Sequence, residues 1–361
     1  MTLHVDPNIA EAKTLDADFY LNNKYYQLSK DKIFARTWQP AGDEDQVKGP
    51  GWVTPFTFLE HFINEELLLT RDNENKLHCL SNVCTHRGNL VAENPCKLHD
   101  LRCKYHGRRF SLDGKFLSMP EFKEVKNFPI ESDHLPSLPL FQWGKWLFTS
   151  LTKDNPAEDF FSDMIKRVGW MPVDQFYHRP DLSKEYLVNA SWALYCENYL
   201  EGFHIPFVHA GLNSVIDYGN YSVELFRYSS LQLGIAKEGE LAFDLPRSSP
   251  DYGKRVAAYY FWVFPNLMFN FYPWGLSLNI IHPLGISKTK VKFISFVFDE
   301  SKLRMGAGAD LHKVEMEDEE IVQNVQRGIR SRFYKFGRYS VTREPGTHHF
   351  HRLIAEFMNR D

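Results

Sequence analysis

Two short stretches of this chain carry side chains that bind metals. "NVCTHRGN", residues 82–89, holds Cys84 and His86 with a glycine at 88; "LRCKYHGRRF", residues 101–110, holds Cys103 and His106 with a glycine at 107. Each offers one thiolate and one imidazole, and each glycine permits the tight backbone turn that such a hook needs. On chemistry alone, four such ligands suit a structural Zn²⁺. Zinc fingers usually pair like ligands, Cys with Cys and His with His, whereas here the order alternates. Alternation suits an asymmetric diiron cluster, two thiolates on one iron and two imidazoles on the other, an exchange that raises the reduction potential.

A cluster of that kind passes single electrons and does no substrate chemistry, so a second site must use them. "CENYLEGFHIPFVHAG", residues 196–211, supplies His204 and His209. In a straight helix their separation points them about 140° apart. Pro206 lies between them and breaks or bulges such a helix, which lets both rings reach one point. Two imidazoles and a carboxylate with open positions make the facial arrangement of non-haem Fe(II) oxygenases. The plainer alternative is two histidines packed among aromatics. No H-E-x-x-H run is present, which argues against a zinc protease.

The spacing of Cys84, His86, Cys103 and His106 resembles the Rieske [2Fe–2S] motif. The run Glu197-Asn198, Glu201, His204, His209 is similar to the mononuclear iron motif of Rieske non-haem iron oxygenase α-subunits. "PNLMFNFYPWGLSLNIIHP" and "VQRGIRSRFYKFGRYSVTREPGTHHFH" look like the catalytic domains of choline-monooxygenase-type members, so the resemblance covers nearly the whole chain. It implies a Rieske cluster and an Fe(II) ion as cofactors. It places the third iron ligand at Asp318, within an acidic run that also offers Glu315, Glu317, Glu319 and Glu320. Glu201 stands where the family most often has Asp. The resemblance makes it a hydrogen-bonded bridge from His106 of one protomer to His204 of the next, with an arm one methylene longer; Asn198 falls beside the iron.

The resemblance also implies an α+β fold: a small all-β Rieske domain, and a helix-grip catalytic domain in which a curved antiparallel sheet surrounds a long helix. Family members are typically homotrimers. They take O₂ and a small organic substrate, and their electrons come from a separate NAD(P)H-dependent reductase or ferredoxin; no flavin or nucleotide motif is visible here. Mono- and dioxygenation both stay open. The aromatics Tyr199, Phe203 and Phe207, with those of 259–274, fit either a cage for a quaternary ammonium group or a flat slot for an aromatic ring, as in a ring-hydroxylating dioxygenase. A metal-stapled electron carrier or structural protein is the alternative of another class. At the second hook, Lys104 and Arg108 stand where the family often has Pro and Trp. Their charge would tune the cluster's potential or dock an acidic donor.

The elements that position these groups follow from texture. Residues 1–38 read as a helical segment packing on the catalytic domain, with the helix over 16–37. Turn signals such as "KGPGW" and "LDGK" between short β-rich runs mark 39–152 as the small β domain, and "TKDNPAED" as a linker. Within the catalytic stretch 160–361, residues 185–209 read as helix-like and 221–300 as strands. Ile321, Val322, Val325 and Ile329 set a helical period over 315–337, and "HHFHRLIAEFMNR" reads as a closing helix whose histidines are structural. The aromatic run 257–281 contains Pro265 and Pro273 and reads as consecutive strands rather than a membrane span.

Composition narrows the function classes. A net charge of −4 and a pI near 6.4 give no reason to expect nucleic acid or an anionic membrane as partner. Five cysteines are an odd, sparse set for 361 residues. That argues for a reducing compartment, with Cys79 and Cys96 outside the ligand set. The first residues show no basic and apolar signal pattern. The expected location is cytoplasmic.

Overall fold

Short β-rich runs between Gly, Asn and Asp turns pair with one another in the segment Phe34–Asn155, one of two compact units in the computed structural model, which describes residues 2–360. Its largest sheet runs Cys96–Lys97, Trp52–Phe58, Glu65–Arg71, Leu77–Ser81, Ser137–Leu138, all antiparallel. A second sheet joins Gln39–Asp43, Trp146–Thr149 and Leu140–Trp143; a third joins Leu101–Arg102, Arg109–Phe110 and Phe116–Ser118. Val53, Leu68, Leu80, Val91, Phe110 and Leu135 form the core of this unit, and Cys84 and Cys103 are packed into it.

The other unit comprises the stretch through Ile33 and the stretch from Pro156 on. Its helices are α1 (Ala17–Leu21), α2 (Asn23–Lys32), α3 (Glu158–Val168), α4 (Trp192–Tyr199), α5 (Ile205–Val208), α6 (Ala210–Val215), α7 (Leu311–Gly328) and α8 (Pro345–Asn359). They surround an antiparallel sheet ordered Tyr177–His178, Lys288–Val297, Gly275–Gly285, Leu267–Tyr272, Val256–Val263, Ser229–Ile235, Ser222–Leu225. Every residue of Val256–Val263 is buried, because both faces of the sheet are covered. Strand alternation then sorts the side chains. Phe261 and Phe269, paired across strands, face the side on which Phe161 of α3 meets Phe269. Gln232, Tyr260 and Asn270, also cross-strand partners, face the other side, toward α4 and α7. The expected α+β architecture, a β-rich cluster domain and a sheet wrapped on a long helix, is present.

Two local readings change. The helix expected over 16–37 is split at Asn22, whose side chain caps α2 by accepting from the Lys24 amide at 3.0 Å. Within 185–209, the first residues are not helical: Lys184–Val188 is a strand, held by pairing with Lys288–Val297. The closing histidines are structural as expected. His348 meets the Asp6 carbonyl at 2.7 Å, and His351 meets Tyr339 at 2.6 Å and Tyr20 at 3.4 Å, so they do not converge. The aromatic run at 257–281 is indeed three strands, and no helix among the described residues is long and apolar enough to cross a membrane.

Candidate metal centres and active-site cavity

The two Cys/His hooks are the same loop built twice. In one, the Cys84 amide bonds the Asn89 carbonyl (2.9 Å) and the Gly88 amide returns to the Cys84 carbonyl (3.0 Å). In the other, the Cys103 amide bonds the Arg108 carbonyl (2.9 Å) and the Gly107 amide returns to the Cys103 carbonyl (3.0 Å). Gly88 and Gly107 have φ of 72° and 75°, a backbone state that disfavours side chains. The loops bring the His86 and His106 rings to 4.7 Å between centroids, and both cysteines are 2% exposed. Burial, with the adjacent Cys103 side chain, pushes the Cys84 thiol above its ordinary range. The thiolate, not the thiol, is the form that binds a metal. His106 Nδ1 is buried with no hydrogen-bond partner, the ring atom left over for a metal. Asn89 Nδ2 reaches Cys103 Sγ at 3.7 Å, a contact that would temper sulfur charge. These donors fit a two-thiolate, two-imidazole [2Fe–2S] cluster.

The two foreign cations of the second hook separate. Lys104 is exposed and paired with Glu93 at 2.9 Å. Arg108 is 2% exposed, bonded to Asp133 Oδ1 at 2.6 Å, with its guanidinium within 5.1–5.6 Å of the Phe110, Phe116 and Phe128 rings. A buried arginine docks no partner. It is a fixed positive charge that acts on Cys84 and His86.

In the other unit, Pro206 occupies the start of α5, a four-residue helix that His204 precedes and His209 ends. The break turns both rings inward, to 3.2 Å between their Nε2 atoms. Asp318, on α7, approaches with Oδ1 at 3.0 Å from His209 Nε2 and 3.6 Å from His204 Nε2. One ligand atom from each of the three lies within 4.8 Å of the others. Each is held from behind. His204 Nδ1 meets Glu201 Oε1 at 2.7 Å, and His209 Nδ1 meets Glu317 Oε2 at 2.8 Å, which leaves Nε2 of both rings free for a metal. Asn198 donates to Asp318 Oδ1 at 2.8 Å. Burial works against charging His209, but Asp318 and Glu317 more than offset it and hold its pKa above the ordinary value. Two imidazoles and one carboxylate on a shared point fit a mononuclear Fe(II).

Glu201 is fully engaged with its own His204, whose backbone amide also donates to Oε2 at 3.0 Å. Each oxygen retains a second lone pair for a further donor. Of the acidic run, Glu320 is exposed, Glu317 braces His209, and Glu315 and Glu319 are buried. Glu315 accepts from the Tyr195 hydroxyl, and burial pushes its carboxyl well above the usual range.

Beside the three-residue centre is a cavity lined by Tyr199, Tyr221, Tyr260, Tyr272 and Phe293 together with Gln232, Asn270 and Asn279. Burial pushes the phenols of Tyr199, Tyr221, Tyr260 and Tyr272 upward, so they stay neutral. Phe203 and Phe207, expected near the substrate, are instead 41% and 81% exposed and do not line it. Of the three aromatics expected there Tyr199 lines the cavity, while Phe203 and Phe207, four residues apart and 6.3 Å between ring centroids, lie together on the outward side. Tyr221, Gln232, Glu315 and Glu317 were not singled out as site residues. For Glu315 a signal existed: Glu315, Asp318, Glu319 and Val322 follow one helical face.

Comparison with known proteins agrees. Residues 169–360 match the catalytic domain of ring-hydroxylating α-subunits, and 37–129 match the Rieske [2Fe–2S] domain. The chain is 30% identical to chloroplastic choline monooxygenase of Arabidopsis thaliana, over 97% of this chain and 84% of that one. It is 26% identical to the carnitine monooxygenase oxygenase subunit of Escherichia coli K12, over 97% and 95%. Its fold follows the quaternary ammonium Rieske monooxygenase CntA bound to L-carnitine (TM-score 0.74, 21% identity, 99% and 100% covered). It also follows naphthalene 1,2-dioxygenase from Rhodococcus sp. (TM-score 0.71, 18% identity, 96% and 94% covered). With its two hooks and its two histidines and aspartate, the chain belongs to the Rieske non-haem iron oxygenase α-subunits, enzymes that carry a [2Fe–2S] cluster and a mononuclear Fe(II).

Proposed function

We propose that this chain hydroxylates, or oxidatively demethylates, a small quaternary ammonium compound. One C–H bond, O₂, two electrons and two protons give the alcohol and water. The observation that carries the reading is the ring of neutral tyrosines around the cavity beside His204, His209 and Asp318. Aromatic faces hold a desolvated ammonium that has no proton to donate. The choline and carnitine monooxygenases among its relatives support the same substrate class. In this reading Cys84, His86, Cys103 and His106 hold the cluster, and His204, His209 and Asp318 hold the iron. The bound iron supplies the open positions at which O₂ is activated.

The chain's own residues do the rest. Glu201 and Glu317 orient the two imidazoles, Asn198 fixes the carboxylate of Asp318, and the tyrosines place the substrate and exclude water. Electrons would come from a separate NAD(P)H-dependent reductase or ferredoxin, and in a homotrimer Glu201 would link the cluster held by one subunit to the iron held by another. The exposed Phe203, Phe207 and Phe333 support self-association, as does the inter-subunit electron transfer described for CntA. A cytoplasmic location is supported by the cysteines, two assigned to the cluster and Cys79, Cys96 and Cys196 left as thiols.

The test is a single turnover. Anaerobic, chemically reduced protein receives O₂ with choline, glycine betaine, carnitine and simple aromatic acids, and products are read by mass spectrometry. A hydroxylated or demethylated ammonium product is expected; hydroxylated aromatic acid alone would overturn the substrate class. His209→Ala should abolish product and leave the cluster's spectrum intact. Turnover by that variant would remove His209 from the ligand set.

A further inference from the structure

The cavity has an unusual charge inventory. Among the residues that line it, none is Lys or Arg, whereas Glu201, Glu315 and Asp318 all are present. Glu317 stands directly behind His209. Burial holds Glu315 toward its neutral form, and the three other carboxyl groups alone leave no positive surplus against a doubly charged metal ion. Three of the amides that line it each already donate to the protein. Asn198 Nδ2 bonds Asp318 at 2.8 Å, Gln232 Nε2 bonds the Tyr199 carbonyl at 2.5 Å, and Asn270 Nδ2 bonds the Ser277 carbonyl at 3.1 Å.

Glu315 is the acid with capacity left. It is 1% exposed and lines the cavity; one oxygen accepts from Tyr195, and Oε1 is buried with no hydrogen-bond partner. Burial holds this carboxyl, beside Glu319, toward its neutral form, and a positive charge brought next to it would draw it back to the carboxylate. A substrate carboxylate brought here would lose its water, meet no cation to replace it, and face Glu315 across an apolar space. A trimethylammonium group would lose its water and meet ring faces and that oxygen instead.

Resting on the reading above, we propose that the cavity selects an ammonium compound without a carboxylate of its own, an amino alcohol of the choline type rather than a betaine or carnitine zwitterion, and that Glu315 sets this preference. The relatives divide along the same line, choline on one side and carnitine on the other. The charge inventory puts this chain with the first.

The experiment is equilibrium binding by calorimetry to the metal-loaded protein under anaerobic conditions, with four probes: choline, glycine betaine, carnitine, and the neutral analogue of choline in which carbon replaces nitrogen. Choline is expected to bind about tenfold or more tightly than either zwitterion and than the neutral analogue. Glu315→Gln is expected to shrink the choline-to-carnitine ratio several-fold. Carnitine or betaine binding as tightly as choline would overturn the charge preference while leaving the ammonium reading intact, and the wild-type ratios decide this even if the variant fails to fold. An unchanged ratio in a folded Glu315→Gln protein would remove Glu315 from the proposal. Failure of all three ammonium probes to bind would sink the substrate class itself, and this inference with it.

Discussion

Glu317 offers the sharpest test of how the iron centre is held. His209 is 2% exposed, and its Nδ1 meets Glu317 Oε2 at 2.8 Å; the other Glu317 oxygen is 4.0 Å from Lys313 Nζ. Removing the carboxylate in Glu317→Ala leaves a buried N–H without an acceptor and a ring free to rotate about its last bond. A hydrogen bond to a charged partner contributes about 1.5–3 kcal/mol. Because the Glu317 side chain is 27% exposed, water can partly replace it, so the low end, about 1.5 kcal/mol, is the reasoned figure. That predicts roughly tenfold weaker Fe(II) binding, the lower bound of what outer partners of metal-bound histidines contribute. Glu317→Gln keeps an acceptor oxygen and loses only the charge, so it should fall between wild type and Ala. Glu320→Ala, an exposed acid on the same helix, is the control. The assay is chelator competition for Fe(II), with cluster absorbance as an internal standard. If Glu317→Ala kept its iron as wild type does, or Glu320→Ala lost as much, the bond to His209 would not be what holds the site.

Two other perturbations test the scaffold. Burial, and the nearby Arg352 charge, lower the His349 pKa to about 4. A histidine whose folded pKa lies below its unfolded 6.5 adds stability that is complete above pH 6.5 and lost as pH falls toward 4. Allowing for partial exposure, about 2 kcal/mol should disappear over that window; His349→Gln should flatten the wild-type slope in urea titrations, and parallel slopes would refute it. Arg108→Met removes a buried cation and strands Asp133, at a cost of about 2–4 kcal/mol. It should also lower the cluster's potential, since a fixed positive charge favours the reduced form; a redox titration followed by electron paramagnetic resonance reads this, and an unchanged potential would deny Arg108 any hold on the cluster.

Where sequence reading succeeded, the determinant was local. A Cys/His hook closed by a glycine needs only its own few residues to turn, and Gly88 and Gly107 supply the positive φ that closes each loop. The break at Pro206 is equally local, and it brings together the two histidines that a continuous helix would have separated. Where reading fell short, distant partners decided. Lys184–Val188 looks helical in isolation and becomes a strand only because Lys288–Val297 offers an edge. Of the apolar residues that set the helical period in α7, Val322 and Ile329 are buried, but Ile321 and Val325 are 39% and 42% exposed, while Glu315, Glu319 and Gln326 are buried. Hydrophobic patterning marks only part of the inward face there, because the interior that α7 faces is itself partly a polar site. A helix whose buried face is acidic is an expected exception at a functional centre.

That partly polar inward face explains how the centre is assembled. Asn198 on α4 holds Asp318 of α7, while Glu317 of α7 holds His209 at the end of α5. Each side therefore orients a ligand that belongs to the other, over sequence separations of 120 and 108 residues. Neither half is a metal site alone, since a ligand without its outer partner is free to turn away. The acids buried in α7 destabilise it as an isolated helix packed on an apolar core. They become tolerable only when α4, α5 and α7 are all in place and positive charge is held among them. Metal binding and closure of this helix cluster are then one equilibrium, in which affinity for the ion contributes directly to the stability of the catalytic unit. The cluster loops differ in that each closes on backbone hydrogen bonds between its own residues.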